Sequence, residues 1–371
     1  MIPIFRPSLG EEEFNAVKEV MQSGWIGLGP KTRQFERDFA AYLGVPHVIG
    51  MNSATAALHL ALTALGIGPG DEVISPSLTF VSTNHAILYN GATPVFGDVE
   101  EETLTLDPTD VERKITPRTK AIMPMHYAGH PCEMDAIMQL AHAHNLYVVE
   151  DTAHATGALY KGRPAGTFGH MNCFSFHAVK NLTMGEGGAV ATADEEIARH
   201  LLRLRWVGIT RDTWSRSETG KSYSWYYDVV ELGYKYHLSD IAAAIGIVQL
   251  QRLPELNGKR RSIVERYNAA FKELGWLRLP VERPEMRSAY HAYVVRVANR
   301  DAFMAHLQQR DVATSVHYIP NHLYDMYRGY RSDVPVTERE WTKLVTLPLF
   351  PDMTDDQVSQ VIEAVCSFDS N

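Results

Sequence analysis

Cysteine is scarce in this chain, with three residues among 371, and no two of them form a CxxC pair. Cys132, Cys173 and Cys366 are too few and too scattered for the disulfide framework of a small secreted protein. The sixteen histidines are dispersed, and His142 and His144 lack the further ligands that a metal site requires. We therefore expect no metal centre and a reducing compartment, the cytoplasm.

Long apolar runs and long basic runs are both missing. The longest apolar stretches, such as residues 241–248, are far shorter than the roughly 20 residues that cross a bilayer. Residues 1–6 lack the apolar core of a signal peptide. The net charge is −9, and no basic run is longer than the three residues 259–261. The composition therefore predicts neither a membrane nor a nucleic-acid partner.

Short β-rich runs alternate with amphipathic helical patterns over the first half of the chain. Strands are predicted near residues 47–51, 72–75, 93–96, 121–124 and 146–150, and helices at 11–23, 32–43, 56–64 and 134–144. This alternation predicts an α/β fold in which helices cover both faces of a mostly parallel sheet. Such sheets bind their ligands at the carboxyl ends of the strands.

A second, smaller domain is predicted after residue 250. The long helical pattern that begins near residue 239 is interrupted by Pro254, and a strand-like run follows at 291–296. Helical patterns near 301–309 and 354–366 complete an α+β unit. We therefore divide the chain into a large domain, 1–250, and a small C-terminal domain, 251–371. The polar, aromatic stretch 209–232 is predicted to be a loop.

The stretch 173–188, CFSFHAVKNLTMGEGG, carries the most chemical information. It places Lys180 after a short apolar run with alternating aromatics and before a glycine-rich turn. A lysine beside buried apolar residues is costly unless its charge is paired or given up. Burial lowers the pKa of the amine and makes it nucleophilic, which suits a lysine that binds the aldehyde of pyridoxal phosphate covalently. A lysine on a plain loop between strands is the alternative for this motif alone.

Small hydroxyl residues could hold the phosphate of such a cofactor. Residues 52–57, NSATAA, open a helix whose free N–H groups attract an anion, and Ser53 or Thr55 would add a donor. The alternative is that these hydroxyls only cap the helix. Ser175, five residues before Lys180, could join the phosphate donors.

Three further residues could contact the cofactor ring. Asp151 follows a predicted apolar strand, where its carboxylate could pair with the pyridine nitrogen and make the ring an electron sink. His154 lies three residues later and Phe80 could lie flat against the ring. The alternatives are a turn carboxylate, a packing histidine and a core aromatic.

Along the chain, the phosphate-binding helix start comes first, followed by Phe80, Asp151, Ser175 and Lys180. With its residues in this order, the sequence resembles the DegT/DnrJ/EryC1/StrS family of sugar aminotransferases, which are fold-type I pyridoxal-phosphate enzymes. The likeness runs almost end to end. Its main motifs are RPS (6–8), SGW (23–25), NSATAALHLA (52–61), TFVST (79–83), GATPVF (91–96), EDTAH (150–154), FSFH (174–177), GEGG (185–188) and GYKY (233–236). The runs HYAG (126–129) and LPLFPDMT (347–354) are most similar to members that make UDP-4-amino-4-deoxy-L-arabinose.

The resemblance implies a role for each matching residue. Lys180 and Asp151 would be catalytic, and Trp25, Gly27 and His317 resemble positions that meet the substrate. The family is dimeric, and a lysine of the GYKY motif would reach the partner's cofactor. The implied cofactor residues are Ala54, Thr55, Phe80, Asp151, His154, Ser175, Lys180 and Lys235.

The implied reaction moves the amino group of L-glutamate to a keto group, at C4, of a nucleotide-linked sugar for lipopolysaccharide or another glycan. Four alternatives remain: amination at C3, a sugar dehydratase of the same family, a non-catalytic regulator that binds the cofactor, and an amino-acid enzyme of the same fold type. The dehydratases have histidine where this chain has Lys180. Ala54, Thr152, Val207 and His237 depart from the usual family residues, and the last two bear on the identity of the sugar.

Overall fold

A mixed β-sheet lies at the centre of the molecule, which the computed structural model describes over residues 1–210 and 225–369. In chain order, the strands are β1 (His47–Met51), β2 (Glu72–Pro76), β3 (Thr93–Gly97), β4 (Thr119–Ile122), β5 (Tyr147–Asp151), β6 (Leu159–Tyr160), β7 (Arg163–Pro164), β8 (Met171–Ser175), β9 (Gly188–Thr192), β10 (Leu277–Arg278), β11 (Met286–Arg287), β12 (Tyr293–Val297) and β13 (Leu344–Leu347). Most of the loop predicted at 209–232 lies outside the described residues.

The central sheet has the strand order β1-β9-β8-β5-β4-β2-β3. The strands from β8 to β3 pair in parallel, whereas β9 is antiparallel to both β1 and β8. The prediction of a mostly parallel sheet is therefore confirmed. Two smaller three-stranded sheets, β10-β12-β13 and β11-β6-β7, lie outside it. All strands of the central sheet except β9 end at one common edge.

The helices surround this sheet and build the smaller unit. In chain order they are α1 (Glu11–Ser23), α2 (Pro30–Leu43), α3 (Ala54–Ala64), α4 (Val81–Tyr89), α5 (Pro108–Lys114), α6 (Met134–His144), α7 (Glu195–Leu204), α8 (Asp240–Phe271), α9 (Arg300–Gln308), α10 (Pro335–Trp341) and α11 (Asp355–Cys366). None of the helices in the described ranges combines the length and the apolarity that crossing a bilayer requires.

Alternate residues of the central strands pack against opposite helical layers. Val149 and Cys173 belong to the apolar cluster that includes α3 and α7. Their neighbours Val148 and Phe174 face the other way, toward α6 and α2 respectively. Every residue of β2, β8 and β9 is buried, as expected for strands covered on both faces. The predicted helical layers on both faces are thus present.

The long helix α8 joins two hydrophobic cores. Leu253 packs with the sheet side, while Tyr267 belongs to the core that β12, β13, α9 and α11 form. The helix continues through Pro254, where the sequence pattern predicts an interruption, because packing on both sides outweighs the loss of one backbone hydrogen bond. Ile2 also packs into the second core. The division of the chain at residue 250 stays a prediction, and that residue lies inside α8.

Asp240, the first residue of α8, fixes the loop that leads into α2. Its carboxylate is buried and accepts hydrogen bonds from the N–H groups of Gly29, Lys31 and Thr32 and from the Thr32 hydroxyl. A Cβ at Gly29 would lie 2.2 Å from the indole nitrogen of Trp25, so no side chain fits there. The loop from Trp25 to Gly29 is therefore tied to the start of α8.

The substitution Asp240→Asn tests this anchor. We expect it to lower the free energy of unfolding by about 2–4 kcal/mol, because an amide loses the charge-assisted bonds and turns a donor toward backbone N–H groups. Urea unfolding of both proteins measures the difference. Asp356→Asn, at an exposed aspartate of α11, is the control and should stay within about 0.5 kcal/mol of the wild type. Equal losses in the two variants would argue against the anchor.

Candidate active site

A cavity of about 360 Å³ opens at the edge where the parallel strands end. Eight of the eleven predicted site residues line it. They are Ala54, Thr55, Phe80, Asp151, His154, Ser175, Lys180 and His317. Phe80 is 54% exposed, so it forms part of the cavity wall and is not an ordinary core aromatic. Residues far apart in the sequence meet here because the strands that carry them share one edge.

One end of the cavity is formed by the start of α3. Ser53 caps this helix by accepting a backbone N–H, and the Thr55 hydroxyl lies 2.8 Å from that of Ser82. Ser175, at the end of β8, brings a further hydroxyl to the wall. A Cβ at Gly188 of β9 would lie 2.4–2.6 Å from backbone atoms of Ser53 and Ala54, so only glycine allows this approach. Hydroxyls and a helix N-terminus together suit an anion such as phosphate.

Asp151, the last residue of β5, lies buried in the cavity floor. Its Oδ2 accepts a hydrogen bond of 2.7 Å from the Thr83 hydroxyl, and its Oδ1 accepts one of 3.1 Å from the N–H of Ala153. Burial raises the pKa of this carboxyl above its usual value, although both hydrogen bonds and Lys180 lower it. A cationic partner in the cavity would favour the ionised form.

Lys180 lies in the connection between β8 and β9. Burial in the cavity lowers the pKa of its amine to about 8, although the nearby Asp151 raises it. An amine with this pKa is neutral in an appreciable fraction of molecules at physiological pH, and a neutral amine is a nucleophile. The predicted lowering of the lysine pKa in this motif therefore has a structural cause, which is burial in the cavity.

Three neutral histidines surround Lys180. Burial and the lysine charge lower the pKa of His317 to about 4, and burial is the main reason that the pKa values of His154 and His291 lie well below the usual range. The rings of His154 and His291 stack with their centroids 4.2 Å apart. The Nε2 of His154 lies 3.0 Å from the hydroxyl of Tyr318. Its Nδ1 is buried and has no hydrogen-bond partner among the described residues.

Several residues of this cavity escape the sequence analysis. Thr83 belongs to the TFVST motif, where its hydroxyl lies 2.7 Å from that of Thr79, but nothing local points to Asp151. Tyr318 follows His317 directly, so its proximity could have been suspected. Phe5 stacks on His291 at 5.2 Å between ring centroids, and no sequence pattern connects these two residues.

Three predicted residues lie outside the cavity. The Lys235 ammonium lies 3.3 Å from the ring centroid of Trp206, and the indole N–H of Trp25 donates to the carbonyl of Leu28. Gly27 is exposed. One chain therefore does not bring these residues to Lys180. Over residues 1–210 and 225–369, no three His, Cys, Asp or Glu side chains are grouped as a metal site would need.

The chain is similar to known proteins over nearly its whole length. Residues 7–366 match the model of the DegT/DnrJ/EryC1/StrS aminotransferase family. The spore coat polysaccharide biosynthesis protein SpsC of Bacillus subtilis is 44% identical, over 98% of this chain and 96% of its own length. The aminotransferase TlmJ of Streptoalloteichus hindustanus superposes with a TM-score of 0.92 at 39% identity, covering 98% of both chains. A putative sugar aminotransferase of Streptococcus pneumoniae in its PMP form gives 0.92 at 35% identity, with 98% of both chains covered.

The fold and the lysine-centred cavity define a pyridoxal-phosphate-dependent transferase of fold type I. The chain belongs to the DegT/DnrJ/EryC1/StrS aminotransferase family, and the similar Streptococcus pneumoniae protein has been solved in both a PLP form and a PMP form. The predicted cofactor, pyridoxal phosphate (PLP), is confirmed. The donor set fits it, because a hydroxyl-lined helix start, a buried carboxylate and an amine of lowered pKa suit a phosphate, a pyridine nitrogen and an aldehyde. The unpartnered Nδ1 of His154 leaves room for one more polar contact.

The pH dependence of cofactor attachment tests the pairing of Lys180 with Asp151. Only the neutral amine attacks an aldehyde, so the attachment rate of the apo-enzyme should rise with pH and level off above about 8. Asp151→Asn should move the midpoint to lower pH, because the carboxylate raises the pKa of Lys180. Stopped-flow absorbance after mixing with PLP measures both midpoints, and Lys180→Ala provides the blank. An unchanged midpoint would show that the carboxylate does not act on the amine.

Proposed function

We propose that this aminotransferase moves the amino group of L-glutamate to the C4 keto group of a nucleotide-linked sugar. The observation that carries the proposal is Lys180, whose nucleophilic amine shares a buried cavity with the carboxylate of Asp151. A lysine at this position is what transamination requires and what the dehydratases of the family lack. The names of the similar proteins, which include sugar aminotransferases and a polysaccharide biosynthesis protein, support a sugar as the acceptor.

In this proposal, residues at the start of α3 and in the cavity floor bind and orient the cofactor. The first turn of α3 with Ala54 and Thr55, together with Ser175, binds its phosphate. Asp151 holds a proton on its pyridine nitrogen, and His154 contacts its ring hydroxyl. When bound, PLP supplies a conjugated ring that takes up the electron pair of a breaking C–H bond.

Lys180 is the general acid and base of both half-reactions. Its Nζ takes the proton from the α-carbon of L-glutamate, and 2-oxoglutarate leaves after hydrolysis. In the second half-reaction, Nζ delivers a proton to the sugar carbon that receives the amino group. An amine with a pKa of about 8 suits both directions, because proton transfer is most efficient when the pKa lies near the working pH.

The histidines contribute hydrogen-bonding groups without charge. The Nδ1 of His317 lies 2.8 Å from the Thr346 hydroxyl, which leaves Nε2 for a substrate oxygen. Nearby cations would lower the pKa of Lys180 further, and the three imidazoles do not do so because they are neutral. Phe80 forms part of the cavity wall, where it would lie flat against the cofactor ring.

The second half of the proposal is a homodimer with shared active sites. Large apolar side chains are exposed on one stretch beside the GYKY motif; they are Trp225, Tyr226, Val229, Val230 and Leu232. A second copy of the chain would bury them, as the family resemblance implies. In such a dimer Lys235 reaches the cofactor phosphate of the partner, while Trp25 and Gly27 meet the substrate.

The first test is an absorbance spectrum of the purified enzyme before and after addition of L-glutamate. We expect a band near ~410–430 nm that glutamate converts to one near ~330 nm, since the amino group is then stored on the cofactor. The aminated enzyme is next mixed with C4-keto and C3-keto nucleotide sugars, and return of the first band identifies the acceptor. Return with the C3-keto sugars alone would move the proposal to C3 amination. A cofactor band that glutamate leaves unchanged would reject glutamate as the donor.

Complementation tests the shared site. Lys180→Ala and Lys235→Ala homodimers should each have low activity, since each lacks one group in both sites. If Lys235 acts across the interface, subunit exchange in an equal mixture should restore about a quarter of the sites, because each mixed dimer then contains one intact site. If Lys235 acts in its own chain, both sites of a mixed dimer are defective and mixing restores nothing.

A further inference from the structure

Thr83 is the third residue of α4 and is 1% exposed. Its hydroxyl lies 2.7 Å from Oδ2 of Asp151 and 2.7 Å from the hydroxyl of Thr79. A carboxylate can only accept, so the single proton of Thr83 goes to Asp151 and the Thr79 hydroxyl donates to Thr83. The hydrogen bonds therefore run in one direction, from Thr79 through Thr83 to the carboxylate.

The two oxygens of Asp151 are held by two different parts of the chain. Oδ1 accepts from the N–H of Ala153 in the turn after β5, while Oδ2 accepts from α4. Two donors from separate elements fix the plane of the carboxyl group, which one donor would leave free to rotate. Both donors are neutral. They stabilise the negative charge of the carboxylate and leave it able to bind a cation.

We propose that Thr83 is a positioning residue that keeps the Asp151 carboxylate ionised and aligned for the pyridine nitrogen of the cofactor, with Thr79 orienting the Thr83 hydroxyl. This inference rests on the proposed role of Asp151. It adds to that role a residue from helix α4, 68 positions earlier in the chain than Asp151.

The electrostatics of the cavity agree with this role. Burial raises the pKa of Asp151, and the hydrogen bond from Thr83 is the leading influence that lowers it. The other titratable groups facing Asp151 are Lys180, His126, Tyr318 and Cys173. Loss of the Thr83 hydroxyl therefore favours a neutral carboxyl, which cannot hold a proton on the pyridine nitrogen.

A matched pair of variants isolates the hydroxyl. Thr83→Val keeps the shape of the side chain and removes the donor, while Thr83→Ser keeps the donor and removes a methyl group. We expect Thr83→Val to slow the glutamate half-reaction and to weaken PLP binding by about 10–100-fold, the usual worth of a hydrogen bond to a charged group. Thr83→Ser should stay within about threefold of the wild type, and Thr79→Val should fall between the two.

The apo-protein gives a readout that needs no cofactor. In the folded chain the pKa of Asp151 is raised above its ordinary value of 3.8. The free energy of unfolding therefore falls as the pH rises above 3.8, and the full loss is reached above the raised pKa. Valine at position 83 raises that pKa further. The Tm difference between wild type and Thr83→Val should therefore grow as the pH rises above the ordinary carboxyl value of 3.8, whereas a pure packing defect gives the same difference at each pH.

The double variant Asp151→Asn with Thr83→Val separates the positioning role of Thr83 from the role of Asp151. In an Asp151→Asn background, Thr83→Val should add little further loss to the glutamate half-reaction, because the group that it positions is gone. Equal effects in both backgrounds, or a Thr83→Ser variant as impaired as Thr83→Val, would overturn the positioning role. If glutamate does not change the cofactor spectrum of the wild type, the proposed function fails. The pH dependence of the apo-protein Tm then still tests the role of Thr83.

Discussion

The site depends on burying one carboxylate and one amine in the same cavity. A buried carboxyl tends to become neutral, and so does a buried amine, because each charged form loses its hydration. Asp151 and Lys180 oppose this tendency in each other, since each charge favours the ionised form of its partner. The result is an amine that is reactive near neutral pH beside a carboxylate that can hold a cation.

The antiparallel strand β9 explains how Lys180 comes to this cavity. Strand β8 ends at the common edge with Ser175, and β9 starts from the same edge with Gly188, because the two strands run in opposite directions. The connection between them, which carries Lys180, therefore stays beside the strand ends. A parallel crossover would have led the chain to the other edge. The same pairing brings Gly188 against the start of α3.

Residue patterns within single segments predicted the features of the structure that depend on one segment alone. Helix α1 has the predicted bounds. Asp151 and Ser175 end strands, and Lys180 lies beyond the end of β8, close to where the alternation of elements indicated. Contacts between distant segments were not predictable in this way. The bond from Thr83 to Asp151 and the stack of Phe5 on His291 depend on how separate elements pack, which no periodicity in one segment records. Pro254 inside α8 is the same case, since tertiary packing there overrides a local signal.

The residues expected to meet the sugar are divided between the cavity, which His317 lines, and the surface outside it, where Trp25 and Gly27 lie. The residues that suit PLP line the cavity of a single chain, whereas Trp25, Gly27 and Lys235 lie outside it. Two departures from the family pattern, Val207 and His237, also lie outside that cavity, and the ring of His237 packs against Trp206, over which the Lys235 ammonium lies. Under the proposed function, substitutions at Trp25 or Gly27 would therefore alter contacts to the sugar without replacing Lys180 or Asp151, both of which line the cavity.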